Sequence, residues 1–220
     1  MTAPGTIAGS PAVPADIRML EHLILARHGE TEWNVAGRAQ GRADSPLTAA
    51  GIEQARSLGR VLAARGVEHI VTSTLGRAMH TGEVAAGIVG CTTTVDARLV
   101  ERAFGVLEGR SVADVFEEDP AMVAVLRGHD PAVAAVGGES LHEVASRMLA
   151  ALADIRALPY RRVAVVTHGH CMTATLGALL NGGEYASYRH GNCGYTPLGV
   201  NSDGFIVDRW NISPVEVATA

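Results

Sequence analysis

The chain has little aromatic surface: Phe, Trp and Tyr make up 4% of its 220 residues. Nucleobases are held by stacking on aromatic faces, so a stacking platform for nucleic acid is disfavoured. An excess of positive charge is missing too. Eighteen Lys and Arg stand against 23 Asp and Glu, a formal charge of −5, whereas binders of nucleic acid or anionic membranes collect cations on one face. That leaves room for a small local anion site. Cysteines are few and scattered. Cys91, Cys171 and Cys193 give neither a disulfide framework nor a zinc spacing, and they suit packing in a reducing cytoplasm. No apolar run reaches the roughly 18 residues of a membrane span. The first twenty residues lack the basic start and apolar centre of a signal peptide.

What remains is an ordinary globular composition, 47% apolar and 19% charged, enough for a packed core. The length suits one α/β domain. Residues 1–19, rich in Pro, Ala, Gly and Thr, read as a flexible N-terminal extension. Residues 20–212 read as a single domain and 213–220 as a C-terminal tail.

Apolar patterning predicts strands at Leu20–Ala26, 68–72, Thr92–Leu99 and Val163–Val166, with one late strand near Gly204–Trp210. Helical spacing predicts helices over Thr48–Ala64, Leu75–Ile88, 111–127 with a break at Pro120, Ser140–Leu158, and 170–180. Thr48 caps the first of these and Gly66 stops it. Strands that alternate with helices imply right-handed crossovers. The expected fold is α/β, a three-layer sandwich with a largely parallel central sheet flanked by helices on both faces. Ligands of such sheets lie beyond the carboxyl ends of the strands. Two predicted strands end in the same signal, Arg27-His28-Gly29 and Thr167-His168-Gly169. If those strands are neighbours, both imidazoles sit at the ligand-binding edge.

The residue types at those ends suit phosphoryl chemistry. The planar fork of Arg27 matches phosphate oxygens. A neutral imidazole attacks phosphorus, and neighbouring cations keep His28 neutral. Gly29 is expected to let backbone approach a ligand closely.

The segment Leu25-Ala26-Arg27-His28-Gly29-Glu30-Thr31, followed by Asn34, resembles the signature of the histidine phosphatase superfamily, in its phosphoglycerate-mutase-like branch. Further motifs follow in the family's order: Gly37-Arg38, Gln40-Gly41, Asp44 to Thr48, Ser73 to Ala78 with Thr81, and Glu101-Arg102 with Phe104-Gly105. Glu108-Gly109, Gly137 to Ser140 with Arg147, and Thr167-His168-Gly169 complete the series. The resemblance runs from about Leu23 to Leu180. It implies a phosphohistidine on His28, and a phosphate pocket of Arg27, Arg77 and His168 with Asn34 and the Gly169 backbone N–H. It implies Glu101 as general acid, with Glu108, Glu117 and Glu118 as competitors for that role. Gln40, Gly41 and Arg38 are implied near the substrate. No metal and no cofactor is required, because guanidiniums and a second imidazole supply the positive field.

About 37 residues separate Glu101 from Glu139, and no Arg-Arg pair lies between them. The family's cofactor-dependent mutases have a longer insertion with such a pair for a second anion. A phosphatase is therefore expected, with residues 104–138 as a lid of few cations. Its partner is a small-molecule phosphate ester, with no nucleic acid and no membrane. The late strand and turn region is where a homodimer could pair. Competing readings are a 2,3-bisphosphoglycerate-dependent phosphoglycerate mutase, a catalytically silent phosphate-binding protein, and a metal hydrolase that uses His28 and His168 as ligands. The adjacent Arg27 disfavours the last by repelling a cation.

Overall fold

The structure, a computed structural model, describes residues 19–180 and 185–214. The predicted N-terminal extension before Met19 and the tail beyond Pro214 lie outside the described residues. Strands β1 (His22–Arg27), β2 (His69–Thr72), β3 (Thr92–Val95), β4 (Arg162–Thr167), β5 (Tyr195–Asn201) and β6 (Gly204–Ile206) form one sheet in the order β3-β2-β4-β1-β5-β6. The first four are mutually parallel, and β5 and β6 run antiparallel at one edge.

Alternation along the central strands explains the three layers. Leu23, Leu25, Val163 and Val165 face one side, against α6 (Leu141–Arg156) and α7 (Gly169–Leu179). Ile24, Ala26, Ala164 and Val166 face the other, against α2 (Ala49–Ala64) and α3 (Gly76–Val89). A strand buried on both faces has no polar alternation, so it reads as an unbroken apolar run. Thr48 caps α2 through its side chain, which accepts the Gly51 N–H. Gly66, at φ +66°, reverses the chain behind it. Ser140 and Glu143 form a capping box on α6.

Three local readings change, and one break is located. The third strand ends at Val95, because the Asp96 carboxylate accepts the Arg98 N–H and starts a 3-10 turn over Ala97–Leu99. The break expected at Pro120 divides 111–127 into α4 (Val112–Glu118) and α5 (Pro120–Arg127), with Asp119 capping α5 and Pro120 at its first turn. A single-turn helix, α1 (Glu32–Val35), follows the first His-Gly; Thr31 and Asn34 form its capping box. The late strand over Gly204–Trp210 stops at Ile206, and the longer strand β5 precedes it. Pro197 and Gly199 disguise β5, since both normally weaken strands. Pro197 is tolerated because β6 pairs only with Gly199, Val200 and Asn201.

The lid region has its own small core, built on Phe104, Leu107, Val115, Val123, Val125 and Leu126. Phe116 stays exposed. Arg102 fastens this lid to the sheet. Its buried guanidinium donates to the Val125, Val133 and Glu139 carbonyls at 2.6–2.8 Å.

Candidate functional site

Strands β1 and β4 are neighbours, with Arg27 opposite Thr167. The His28 N–H extends the ladder by one bond to the Thr167 carbonyl, at 3.0 Å. His28 therefore leaves β1 where His168 caps α7, and the two rings lie 5.3 Å apart between centroids. Both are buried.

The nitrogen chemistry follows from their partners. His28 Nδ1 donates to the Gly29 carbonyl at 2.7 Å, since that oxygen can only accept. The neutral ring thus has its free lone pair on Nε2. His168 Nε2 lies 2.7 Å from Ser73 Oγ, which also accepts the Leu75 N–H. Burial holds both imidazoles well below the ordinary value; Arg27 and Arg77 push His28 lower, and Arg77, His28 and Arg27 do the same to His168.

The two guanidiniums are braced from behind. Arg27 Nη1 donates to the His190 carbonyl at 2.7 Å. Arg77, 2% exposed, donates from Nη1 to the Ala43 carbonyl and Asp44 Oδ1, and from Nη2 to the Gly41 carbonyl. Among the described residues, three buried side-chain nitrogens have no hydrogen-bond partner: Arg27 Nε, Arg77 Nε and His168 Nδ1. All three belong to the group around His28. Leaving one buried polar group unpaired costs about 1–3 kcal/mol, so such a concentration marks a place built to be completed by an anion.

Glu101 faces the same cavity. Its Oε1 accepts the Arg102 N–H at 2.9 Å, and its Oε2 accepts the His170 N–H at 3.3 Å. Arg147 clamps the loop that carries it, donating to the Arg98, Val100 and Glu101 carbonyls while paired with Glu139. Glu108 does not line this cavity. Its Oε1 accepts the Arg42 and Phe104 N–H groups, tying two loops together. Glu118 pairs with Arg110, and Glu117 is exposed.

Of the other expected residues, Asn34, Gln40, Gly41 and Gly169 all line a cavity of about 330 Å³ together with Arg27, His28 and Arg77. Asn34 Oδ1 accepts from Thr31 and from Asn192 Nδ2, which aims its own amide nitrogen at the cavity. One residue has a second task and one expectation needs correction. Both ends of the Gln40 amide are engaged within the chain: Nε2 donates to Thr31 Oγ1 and Oε1 accepts from Ser45 Oγ. Gln40 thus braces the wall that it also lines. Gly29 meets backbone, not ligand: a Cβ there would lie 2.5 Å from the Gly51 carbonyl oxygen. His168 lies beside His28, fully buried, with its Nδ1 unpartnered.

Several residues in or behind the wall had no role assigned from the motifs. His190 supplies the carbonyl that holds Arg27. Its ring lies between Tyr188 and Thr196. Cys193, in the left-handed region at φ 55°, donates its N–H to the His28 carbonyl. Burial pushes its thiol up to about 12. His170 packs its edge on Phe104 at 5.0 Å. Arg127, from the lid, stands at the cavity mouth with Arg38 and Arg189, which come from outside the lid.

The profile of the histidine phosphatase superfamily (branch 1) matches residues 23–213. The chain belongs to that superfamily. A Proteus mirabilis protein named "Probable phosphoglycerate mutase GpmB" is 38% identical over 193 residues, 86% of this chain and 90% of that one. A mycobacterial glucosyl-3-phosphoglycerate phosphatase, solved with VO3, superposes at a TM-score of 0.81 with 31% identity, covering 88% of this chain and all of that one. An Entamoeba histolytica phosphoserine phosphatase in complex with phosphoserine gives 0.76 and 26%, covering 87% and 97%. In this member of the superfamily, no described helix is long and apolar enough to cross a membrane.

Burial of neutral imidazoles has a consequence for folding. Mainly through burial, His170 and His190 are pushed down to about 4, and His28 and His168 are also lowered. Below the ordinary imidazole value of about 6.5 the unfolded chain binds protons that the folded chain refuses, so stability falls as pH falls from there toward 4. The thermal midpoint should drop across that window, and His190→Asn should flatten the drop. A midpoint level from pH 7 to pH 4.5 would contradict this.

Proposed function

We propose that this chain is a phosphomonoesterase that works through a phosphohistidine, without metal or cofactor, on a small phosphorylated metabolite of sugar, polyol or glycerate type. The observation that carries this reading is the convergence of Arg27 Nε, Arg77 Nε and His168 Nδ1, all buried and unpartnered, around a histidine whose proton is held on the opposite nitrogen.

His28 Nε2 attacks phosphorus in line. The N–P bond forms as the P–O bond to the leaving group breaks, and Glu101 gives its proton to the departing oxygen. Glu101, now a carboxylate, takes a proton from water. The resulting oxygen attacks phosphorus, the N–P bond breaks, and inorganic phosphate leaves with the Nε2 lone pair restored. Arg27 and Arg77 face the charge that grows on the equatorial oxygens. His168 Nδ1, Asn34 Nδ2 and the Gly169 N–H, at the first turn of α7, add donors. Gly41 acts through its carbonyl on Arg77. The three free cysteines suit a reducing compartment, and we place the enzyme in the cytoplasm.

The relatives named as phosphoglycerate mutases favour one second reading, phosphoryl return to the substrate instead of to water. A single assay separates the two. Phosphate release is measured across a panel of metabolite monophosphates, with and without 2,3-bisphosphoglycerate, for the native chain and Glu101→Gln. Release without the bisphosphate is expected. Glu101→Gln should slow alkyl phosphates far more than p-nitrophenyl phosphate, whose leaving group scarcely needs a proton. Isomerised product that appears only with the bisphosphate would establish the mutase instead.

A further inference from the structure

The cavity has two cationic zones. The inner one is the Arg27–Arg77 pair around His28. The outer one is made by three exposed residues on separate segments: Arg38 after α1, Arg127 at the end of α5, and Arg189 beyond the 185–188 turn. The chain contains no lysine, so each of these cations is a planar fork able to grip an oxyanion through two bonds.

The outer arginines are not surface charges neutralised by neighbours. Among the described residues, none of the three is paired with a carboxylate. By contrast, Arg42, Arg98, Arg110 and Arg147 all are. Two of the three are tied in place by one bond each: Arg189 Nη2 donates to the Arg127 carbonyl at 2.9 Å, and Arg38 Nη1 to the Gly109 carbonyl at 2.9 Å. The Arg189 tie sets its guanidinium beside Arg127, where the like charge and burial together lower its pKa. In a chain of net charge −5, unpaired cations on the wall of a small cavity point at what the cavity holds.

Resting on the phosphomonoesterase reading, we infer that Arg127 and Arg189, with Arg38, form a second anion subsite, so that the preferred substrate is a phosphomonoester whose alcohol portion bears another anionic group. The volume of about 330 Å³ is at the small end for ligand pockets, so both anions belong to one small metabolite. The same cavity is lined by Ala39, Phe104, Val112 and Leu126, apolar surface that suits a short carbon linker. The shared chemistry is a carboxylate or a second phosphate.

The test is calorimetric binding to full-length His28→Ala protein, which retains bound esters intact. Two matched pairs are compared: O-phosphoserine with O-phosphoethanolamine, which differ by a carboxylate, and fructose 1,6-bisphosphate with fructose 6-phosphate, which differ by a phosphate. At least about ten-fold tighter binding of the doubly anionic member of one pair is expected, and that pair identifies the anion. Adding Arg127→Gln and Arg189→Gln should bring the ratio toward one, and Arg127→Glu should reverse it. Arg56→Gln, on the surface of α2, should leave it unchanged. If Arg189 serves only to hold α5, both members weaken together and the ratio survives, which overturns the subsite. Ratios near one in both pairs overturn it as well. Failure of the enzymatic reading shows separately: the native chain would release no phosphate from any ester, whatever the binding ratios.

Discussion

His28→Ala should stop phosphate release altogether. The ring has one nitrogen committed to the Gly29 carbonyl, so Nε2 alone can attack, and alanine leaves nothing in its place to accept the phosphoryl group. The expected loss in kcat is on the order of 10⁴ or more, because direct attack by water needs a different geometry and forgoes the covalent intermediate. The fold should persist. The ring's bonding partner is its own neighbour's carbonyl, while the Thr167 ladder bond is made by backbone. Acid-labile radiolabel from a phosphoryl donor should mark the native chain and not the variant. Turnover within ten-fold of native would remove His28 from the nucleophile's role.

The second large effect is expected at Arg77. Arg77→Ala should lower kcat/KM by about 10²–10³, or roughly 3–4 kcal/mol, the loss found when one preorganised donor is taken from a developing oxyanion. The substitution also strips three acceptors, the Gly41 and Ala43 carbonyls and the Asp44 carboxylate, of their shared donor. Folding stability should therefore fall too, and the midpoint must be measured beside the rate. Arg77→Lys restores charge without the fork, so its midpoint should recover more than its rate. Because the Arg77 charge helps hold His28 and His168 neutral, its loss should move the acid limb of the rate profile to higher pH. A kcat/KM within about three-fold of native in Arg77→Ala would sink the pocket assignment.

Much of this site was legible before any coordinates. The two His-Gly strand ends announce an anion edge, because Arg27 beside His28 is chemistry written in consecutive residues. The central strands read correctly because burial on both faces leaves an apolar run. Strand β5 was hidden by Pro197 and Gly199, whose tolerance depends on where β6 stops. Glu101 could be preferred over Glu108 only by motif and by its place after the third strand; the structure separates them by position, since Glu101 lines the cavity and Glu108 does not.

Local order decided what residue spacing can encode: the strand and helix periods, the caps at Thr48 and Ser140, and the chemical character of the strand ends. Tertiary structure alone decided which side chains complete the site. It set the His190 carbonyl against Arg27, tied Gln40 to Thr31 and Ser45, brought His168 beside His28, and gathered Arg38, Arg127 and Arg189 at one mouth. Those residues are separated by scores of positions, and their encounter depends on strand order and crossover connection. Periodicity carries no record of either, since it reports which face of an element is buried and not what lies across from it.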